Sequence, residues 1–286
     1  MDFKTELESK GYVIIPNILN TSEIDKALTY FKQWQQNIPN HEKFSKNMNP
    51  HGIYKFHQAG HTLHAWYIRT LPQVQNIFKQ LWNTEELISS FDGSCYIPKN
   101  CNKKDTCWTH TDQNGLEDKL KCYQGIVTLT NNKERTLVVY EGSHKLHYKY
   151  FKDRNNTSTS NWQKIDPNYL NSISDKKKIL NIPAGSLVLW DSRTFHQNQY
   201  GKPLSEERYV QYVCFYPKNH PQNTAAMIRK RKKYFEDRRT TSHWPCPIRV
   251  NGLQPQHFGN TEYIINYTKL PTIDLSEFMN KINELI

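Results

Sequence analysis

Three side chains of this sequence have the right types to hold one metal ion. His110 and Asp112 are separated by one residue, and His196 lies far downstream. Because alternate side chains of a β-strand share a face, His110 and Asp112 can chelate the same ion from one strand. Two imidazoles and one carboxylate on one face of an octahedral metal leave three positions open, as in non-haem Fe(II) oxygenases. We therefore predict a metal site made of His110, Asp112 and His196.

Arg208 follows the last of these residues after a turn-rich segment. If residues 197–207 form a hairpin centred on residues 201–203, where turn-forming residues cluster, Arg208 stands directly opposite His196 and shares its face. A guanidinium in that position could bind the distal carboxylate of 2-oxoglutarate while the co-substrate chelates the metal. Asn198, two residues after His196 on the same face, is expected to add a hydrogen bond to the co-substrate.

These residues resemble a known pattern. His110-x-Asp112, His196 and Arg208 look like the HxD…H…R pattern of Fe(II)/2-oxoglutarate dioxygenases. Three stretches are similar to the phytanoyl-CoA dioxygenase-like branch of that superfamily, and they are residues 108–113, 137–145 and 182–191. The similarity runs from about residue 92 to 217, with a weaker match at residues 11–16, and it fades at residues 153–178 and in the C-terminal part.

The resemblance implies a fold and a chemistry. The fold would be a double-stranded β-helix, a cupin-like jelly roll, and the cofactors Fe(II), 2-oxoglutarate and O₂. Such enzymes convert 2-oxoglutarate to succinate and CO₂ while they oxidise a substrate C–H bond. In halogenating relatives a small residue replaces the carboxylate ligand, so the presence of Asp112 favours hydroxylation. Trp108, Gln113 and Arg193 flank the ligands and are candidate substrate contacts.

The hydropathy pattern predicts a mainly β protein with flanking helices (α+β). We expect one domain over residues 1–286, with helical support in 1–91, a jelly-roll core of eight short strands in 92–217 and a basic helical extension in 218–286. Amphipathic helices are expected at residues 2–10, at 20–36, after Pro72, and at 272–286. The polar stretch 155–161 is expected to be an exposed loop.

The net charge of +11 favours an anionic partner, which could be a nucleic acid, a nucleotide, an acyl-CoA or a membrane surface, and it does not choose among them. A lysine-rich composition can also reflect an AT-rich genome. The run Arg229–Lys233 on a predicted helix is either a solvated helix face, a nucleic-acid contact or a nuclear address. Since no long apolar segment or apolar secretory region is found, we expect a cytoplasmic protein, or a nuclear one if the basic run is an address, without a membrane partner.

Several alternatives remain open at this level. One is an enzyme of the same chemistry that acts as a nucleic-acid or protein side-chain hydroxylase or demethylase. Another is a non-catalytic cupin-like metal-binding protein. His57, His61 and His64 are either a rival metal site, the wall of the active-site mouth or structural histidines. The set His243, Cys246 and His257 could in principle bind zinc, although the spacing gives little support, and the six cysteines are expected to be thiols.

Overall fold

The computed structural model describes residues 2–43 and 50–286. Antiparallel strands with flanking helices dominate the described chain, in agreement with the predicted fold class. The chain forms two compact units. Unit 1 contains Met1–Pro16 and Ile97–Arg208, and unit 2 contains Asn17–Tyr96 and Tyr209–Ile286. The grouping of residues 1–286 into a single domain stays a prediction.

The strands are short, as the sequence indicates. In chain order they are β1 (Tyr12–Ile15), β2 (Ile53–Tyr54), β3 (Leu87–Ser89), β4 (Ser94–Ile97), β5 (His110–Thr111), β6 (Tyr123–Thr128), β7 (Leu137–Tyr140), β8 (Gln163–Lys164), β9 (Lys177–Ile179), β10 (Leu187–Asp191), β11 (His196–Asn198), β12 (Arg208–Val213) and β13 (Phe215–Pro217). The strands β2 and β8 were not expected from the hydropathy pattern, because a strand of two residues is too short to show a periodicity.

Helices flank the strands. They are α1 (Phe3–Lys10), α2 (Thr21–Gln36), α3 (Leu63–Arg69), α4 (Pro72–Trp82), α5 (His147–Lys152), α6 (Pro167–Ser172), α7 (Ala225–Glu236) and α8 (Met279–Leu285). The helix predicted over 272–286 is shorter than expected, since a 3-10 turn, Ser276–Phe278, precedes α8. Within residues 2–43 and 50–286, no helix combines the length and apolar character that crossing a bilayer requires.

Two antiparallel sheets form the jelly roll of unit 1. One contains five strands in the order β8-β5-β11-β7-β9, and the other contains β1, β10 and β6 in that order. Their side chains meet between the layers: the ring of Trp190 on β10 lies 5.3 Å from that of His196 on β11. Strand β10 is buried along its whole length, which explains its continuous apolar run.

The predicted hairpin between β11 and β12 is wrong. His196 is paired with His110 of β5 on one side and with Val139 of β7 on the other. Because both edges of β11 are occupied, no edge is left for the strand that begins at Arg208. The segment after Asn198 instead leaves the five-stranded sheet, and the carboxylate of Glu206 fixes it by accepting backbone hydrogen bonds from residues 133–135.

A tight turn joins α1 to β1 in unit 1. Gly11 ends α1 in the left-handed region, at φ 83°, and its N–H donates to the carbonyl of Leu7. A Cβ at this position would lie 2.4 Å from Nδ1 of His144, so only glycine fits. The turn sets β1 beside β10, where Tyr12 pairs with Trp190.

Unit 2 surrounds an aromatic core. Its strands include β12, β4 and β2, hydrogen-bonded in that order, and the pair β13-β3. Asn20 begins α2 with a complete capping box to Glu23, as the sequence indicates. From this helix Phe31 stacks on His64, with ring centroids 4.0 Å apart.

Candidate metal centre and co-substrate pocket

The structure brings the three predicted metal ligands together between β5 and β11 of unit 1. His110 and His196 are direct partners in this antiparallel pair, and their ring centroids lie 4.4 Å apart. Asp112 follows β5 at once, on the same face as His110. One nitrogen or oxygen atom from each residue lies within 4.8 Å of the others, which is the separation that one shared ion needs.

Hydrogen bonds fix the orientation of both imidazoles. Nδ1 of His110 lies 3.1 Å from the carbonyl of Trp108, and Nδ1 of His196 lies 2.8 Å from the carbonyl of Thr194. A carbonyl oxygen only accepts, so each Nδ1 must carry the proton and donate it. The lone pair is therefore on Nε2 of each ring, the tautomer in which a histidine binds a metal through Nε2.

The carboxylate of Asp112 completes the group. Its Oδ2 lies 3.3 Å from Nε2 of His196 and 3.6 Å from Nε2 of His110. The Asp112 N–H donates to the carbonyl of Ser192, and Nε2 of Gln124 on the facing sheet donates to Oδ2 at 3.1 Å. The backbone of Asp112 is thus fixed by Ser192, and its carboxylate is oriented by Gln124.

Burial favours the metal-binding form of the site. His110, Asp112 and His196 are each at most 9% exposed. Burial lowers the pKa of His110, with the Asp112 carboxylate opposing that shift only in part, so the imidazole is neutral at neutral pH. A neutral imidazole is the form that ligates a cation.

Arg208 is fully buried at the beginning of β12. Its Nε donates to Oδ1 of Asn132 at 3.2 Å, and Nη1 makes a long contact of 3.5 Å with the carbonyl of Thr136. That carbonyl also accepts from the N–H of Gln199, just past the end of β11. Among the described residues Nη2 has no hydrogen-bond partner. A buried guanidinium nitrogen without an acceptor fits a pocket whose acceptor is supplied by an anionic ligand.

Asn198 and Trp108 lie beside the predicted ligands. Asn198 is buried and follows His196 by two positions on β11, so it leaves the strand on the same face. Trp108 stacks on His110, with ring centroids 4.8 Å and planes 20° apart. Its indole N–H donates to the carbonyl of Asn198 at 3.0 Å, which links the strands that carry the two histidines.

Gln113 has a structural role. Its Nε2 donates to the carbonyls of Glu117 and Lys119, and its Oε1 accepts from the Lys121 N–H and the Ser192 hydroxyl. With its hydrogen-bonding positions used inside the protein, the side chain folds the loop after Asp112. We therefore do not include Gln113 among the proposed substrate contacts.

Arg193 is held in the same way. Its Nε and Nη2 form a two-point ion pair with Asp191, at 3.0 and 2.7 Å, and Nη1 donates to the carbonyl of Asp118. This geometry fixes the turn between β10 and β11. These contacts use three of the five N–H donors of Arg193 inside the protein, and a role in substrate binding stays a prediction.

The rival metal sites are not assembled. In the part of the chain that the structure describes, His110, Asp112 and His196 are the one group with metal-binding geometry. His61 and His64 are buried in unit 2, where they contact the carbonyl of Arg239 and the hydroxyl of Ser94. Burial lowers the pKa of His57 to about 4, and it also lowers that of His61 and His64. All three are core histidines.

The zinc set His243, Cys246 and His257 is likewise absent as a metal group among the described residues. Cys246 instead contacts Arg231, which is fully buried and reaches Asn223 and the carbonyl of Pro245. Arg231 is thus removed from the basic surface predicted over Arg229–Lys233.

Two residues at the site, Gln124 and Trp162, were not expected from the sequence. Gln124, which holds Asp112, is a polar residue in a buried strand. Trp162 lies 5.5 Å from His110, ring to ring, and is 51% exposed. The signal for Gln124 was a single amide among apolar residues, and nothing local indicated that Asp112 would be its partner. Trp162 lies next to β8, which is too short to show a periodicity.

The donor set fits Fe(II) and 2-oxoglutarate. Two Nε2 atoms and one carboxylate suit a non-haem Fe(II) site with open positions, and the unpartnered Nη2 of Arg208 suits a carboxylate. Fold and site together define a jelly-roll metal-dependent oxygenase.

Comparison with known proteins gives the family. The model for phytanoyl-CoA dioxygenase (PhyH) matches residues 7–199, which is well over half of the sequence. The chain belongs to the phytanoyl-CoA dioxygenase family. It is a 2-oxoglutarate-dependent Fe(II) dioxygenase, and its cofactors are Fe(II), 2-oxoglutarate and O₂.

Similar proteins share the fold over long stretches. Ava biosynthesis cluster protein O from Aspergillus versicolor is 27% identical over 267 residues, covering 85% of this chain and 86% of that protein. The structure of GlcNAc Inducible Gene 2 from Candida albicans has a TM-score of 0.66 at 14% identity, over 98% of this chain and 74% of that one. HygX from Streptomyces hygroscopicus, solved with nickel, 2-oxoglutarate and hygromycin B bound, has a TM-score of 0.52 at 11% identity, over 76% of this chain and 87% of its own.

Proposed function

We propose that this chain hydroxylates a C–H bond of a small, anionic molecule, with Fe(II) held by His110, Asp112 and His196. Arg208 binds the distal carboxylate of 2-oxoglutarate in this proposal, and Asn198 adds a hydrogen bond to the co-substrate. The observation that carries it is the convergence of two Nε2 lone pairs and one carboxylate within 4.8 Å. When bound, Fe(II) with 2-oxoglutarate and O₂ supplies an oxidant for C–H bonds and releases succinate and CO₂.

The protein itself orients the three metal ligands and shields them from water. The carbonyls of Trp108 and Thr194 keep the proton of each imidazole on Nδ1. Gln124 keeps the Asp112 carboxylate turned toward the histidines. Around them β10 is buried along its whole length and β6 is buried from Gln124 to Thr128, which keeps bulk water away from the ligands.

Two observations support a small molecule. The Aspergillus versicolor relative is named for a biosynthesis cluster, and HygX was solved with hygromycin B, a small molecule, beside nickel and 2-oxoglutarate. The net charge of +11 supports an anionic one. A nucleic-acid substrate has weaker support, because Arg231 is buried and Lys233 of the same run forms an ion pair with Asp237 at 3.0 Å.

The test is anaerobic reconstitution with Fe(II) followed by addition of O₂. Succinate formation from 2-oxoglutarate is measured with pools of amino acids, nucleosides, oligonucleotides, aromatic acids and acyl-CoAs. We expect a small anionic pool to raise succinate release and to yield a product heavier by one oxygen. Zinc at full occupancy with no succinate formed would favour the non-catalytic metal-binding alternative, and stimulation by oligonucleotides alone would favour the nucleic-acid one.

A further inference from the structure

Strand β8 brings two unassigned side chains next to the first metal ligand. It pairs with β5 so that Lys164 is opposite His110 and Gln163 is opposite Thr111. Directly opposed residues of an antiparallel pair leave the sheet on the same face, so Lys164 shares the face of His110. Trp162 precedes Lys164 by two positions and points the same way.

The contact of Trp162 with His110 confirms this direction. Their ring centroids are 5.5 Å apart, and their planes are inclined by 30°. Yet the indole is 51% exposed, one of the few large apolar side chains of the described residues that face solvent to this degree. A large apolar ring exposed beside a metal ligand is well placed to be covered by a bound molecule.

The backbone around Trp162 is fixed in advance. The hydroxyl of Ser160 donates to the Trp162 carbonyl at 3.0 Å, and Nε2 of Gln163 donates to the Ser160 carbonyl at 2.9 Å. Oδ1 of Asn161 accepts from the N–H of Asn114, which ties this segment to the loop that follows Asp112. The backbone that carries the indole is therefore ordered before any ligand arrives, which reduces the entropic cost of binding.

Lys164 supplies a charge on the same edge. Its side chain is exposed. The ammonium group makes no hydrogen bond or ion pair with any residue in 2–43 or 50–286. The other strand at an edge of this sheet, β9, also exposes lysines. Lys178 stands opposite Val139, the neighbour of His196, so one strand separates it from the nearest ligand, and Lys177 stands opposite Tyr140 on the other face. Among the described residues of this sheet, the lysine that stands directly opposite a metal ligand is Lys164.

We infer that Trp162 and Lys164 form the substrate-recognition edge of this site, and that they select a flat conjugated or aromatic ring that carries an anionic group. The inference rests on the proposed function and deepens it by naming the substrate class. The ring lies against the indole, and the ammonium group of Lys164 pairs with the anion. Together they hold the molecule over the face on which His110, Asp112 and His196 converge.

The experiment measures binding by calorimetry to the full chain loaded with Ni(II) and 2-oxoglutarate. The probes are 2-naphthoate, the uncharged 2-naphthylmethanol, and cyclohexanecarboxylate, which has the charge without the flat ring. We expect 2-naphthoate to bind most tightly, Trp162→Ala to weaken it about tenfold, and Trp162→Phe to restore most of the affinity. Lys164→Gln should weaken 2-naphthoate roughly fivefold and leave 2-naphthylmethanol unchanged.

Lys177→Gln, at an exposed lysine of β9 that stands opposite Tyr140 and leaves the sheet on the other face, is the matched control and should change nothing. Equal affinity of the wild type and both Trp162 variants for 2-naphthoate would overturn the inference, as would equal affinity of the wild type for all three probes. The same holds if 2-naphthoate fails to bind a wild-type protein that does bind 2-oxoglutarate. If 2-oxoglutarate does not bind to the Ni(II) protein, the proposed function is wrong. This result is measured before any probe is added, so it is distinguished from a failure of the inference.

Discussion

His196 stands opposite His110 on neighbouring antiparallel strands, and their imidazole centroids are 4.4 Å apart. The pairing of β11 with β5 therefore does what the sequence spacing cannot, because it joins ligands from distant parts of the chain. With Asp112 placed two residues after His110, one strand pair carries all three donors.

Removing the carboxylate should weaken metal binding. Asp112→Ala leaves only the two imidazoles as ligands, so we expect the Fe(II) or Ni(II) stoichiometry to fall clearly below one per chain in buffer without halide, where no small anion can replace the carboxylate. The measurement is metal content after anaerobic loading and desalting. Asp175→Asn, which changes an exposed carboxylate, is the control. Full metal occupancy in Asp112→Ala would contradict the assignment.

Removing the buried guanidinium of Arg208 should weaken the binding of 2-oxoglutarate. Arg208→Gln takes away the charge that the distal carboxylate of 2-oxoglutarate would meet, and we expect about 100-fold weaker 2-oxoglutarate binding with metal stoichiometry unchanged. Arg229→Gln, on the exposed side of α7, should behave like the wild type. An unchanged affinity in Arg208→Gln would assign the co-substrate carboxylate to another cation.

Gln124 should act through Asp112. Gln124→Leu keeps the volume but removes the donor to Oδ2, so we expect roughly tenfold weaker metal affinity. Competition with a chelator of known affinity measures this. Gln124→Glu places a second negative charge beside Asp112. The metal affinity of this variant should therefore differ from that of Gln124→Leu. If both variants bind metal as the wild type does, the hydrogen bond does not position the carboxylate.

His147 should make the stability of the protein sensitive to acid. Burial lowers its pKa to about 4 from the ordinary 6.5, while its Nε2 bonds the carbonyl of Gln113. The unfolded chain therefore takes up a proton at higher pH than the folded chain, and stability is lost as the pH falls from 6.5 toward 4. The loss at pH 4 is about 3 kcal/mol for this group.

The test compares the wild type with His147→Gln, which keeps a donor for Gln113 but does not titrate. Urea unfolding of the metal-free proteins should show the wild type more stable near pH 7, with its advantage shrinking toward pH 4. Carboxylates titrate in both proteins, so their contribution cancels. A difference that does not change with pH would show that His147 has the same pKa in the folded and the unfolded chain, and would contradict the prediction.

Local patterns were enough to predict the group His110, Asp112 and His196 but not the place of Arg208 in the sheets. The i, i+2 spacing of His110 and Asp112 needs only strand alternation, and the helices at α2 and α4 follow from apolar periodicity and caps. The expected hairpin failed because the second neighbour of β11 is a non-local strand, β7, and turn residues carry no information about it.

Two other differences have the same origin. Arg231 belongs to a basic run and was expected at the surface, yet Asn223 and Pro245 supply acceptors inside the fold. Trp162 was not expected at the site, because the neighbouring strand β8 has only two residues and lies in a polar stretch. In both cases the deciding partner is remote in the sequence, and composition alone cannot reveal it.

Strand β11 is hydrogen-bonded to β5 on one side and to β7 on the other. The distance between His110 and His196 is therefore set by the sheet and does not depend on the length of chain that joins them. Evolution or an engineer can lengthen, shorten or replace the exposed loop of residues 155–159, which precedes β8, while the reactive centre stays in place. A chain built in this way can acquire new substrates without having to reinvent its chemistry.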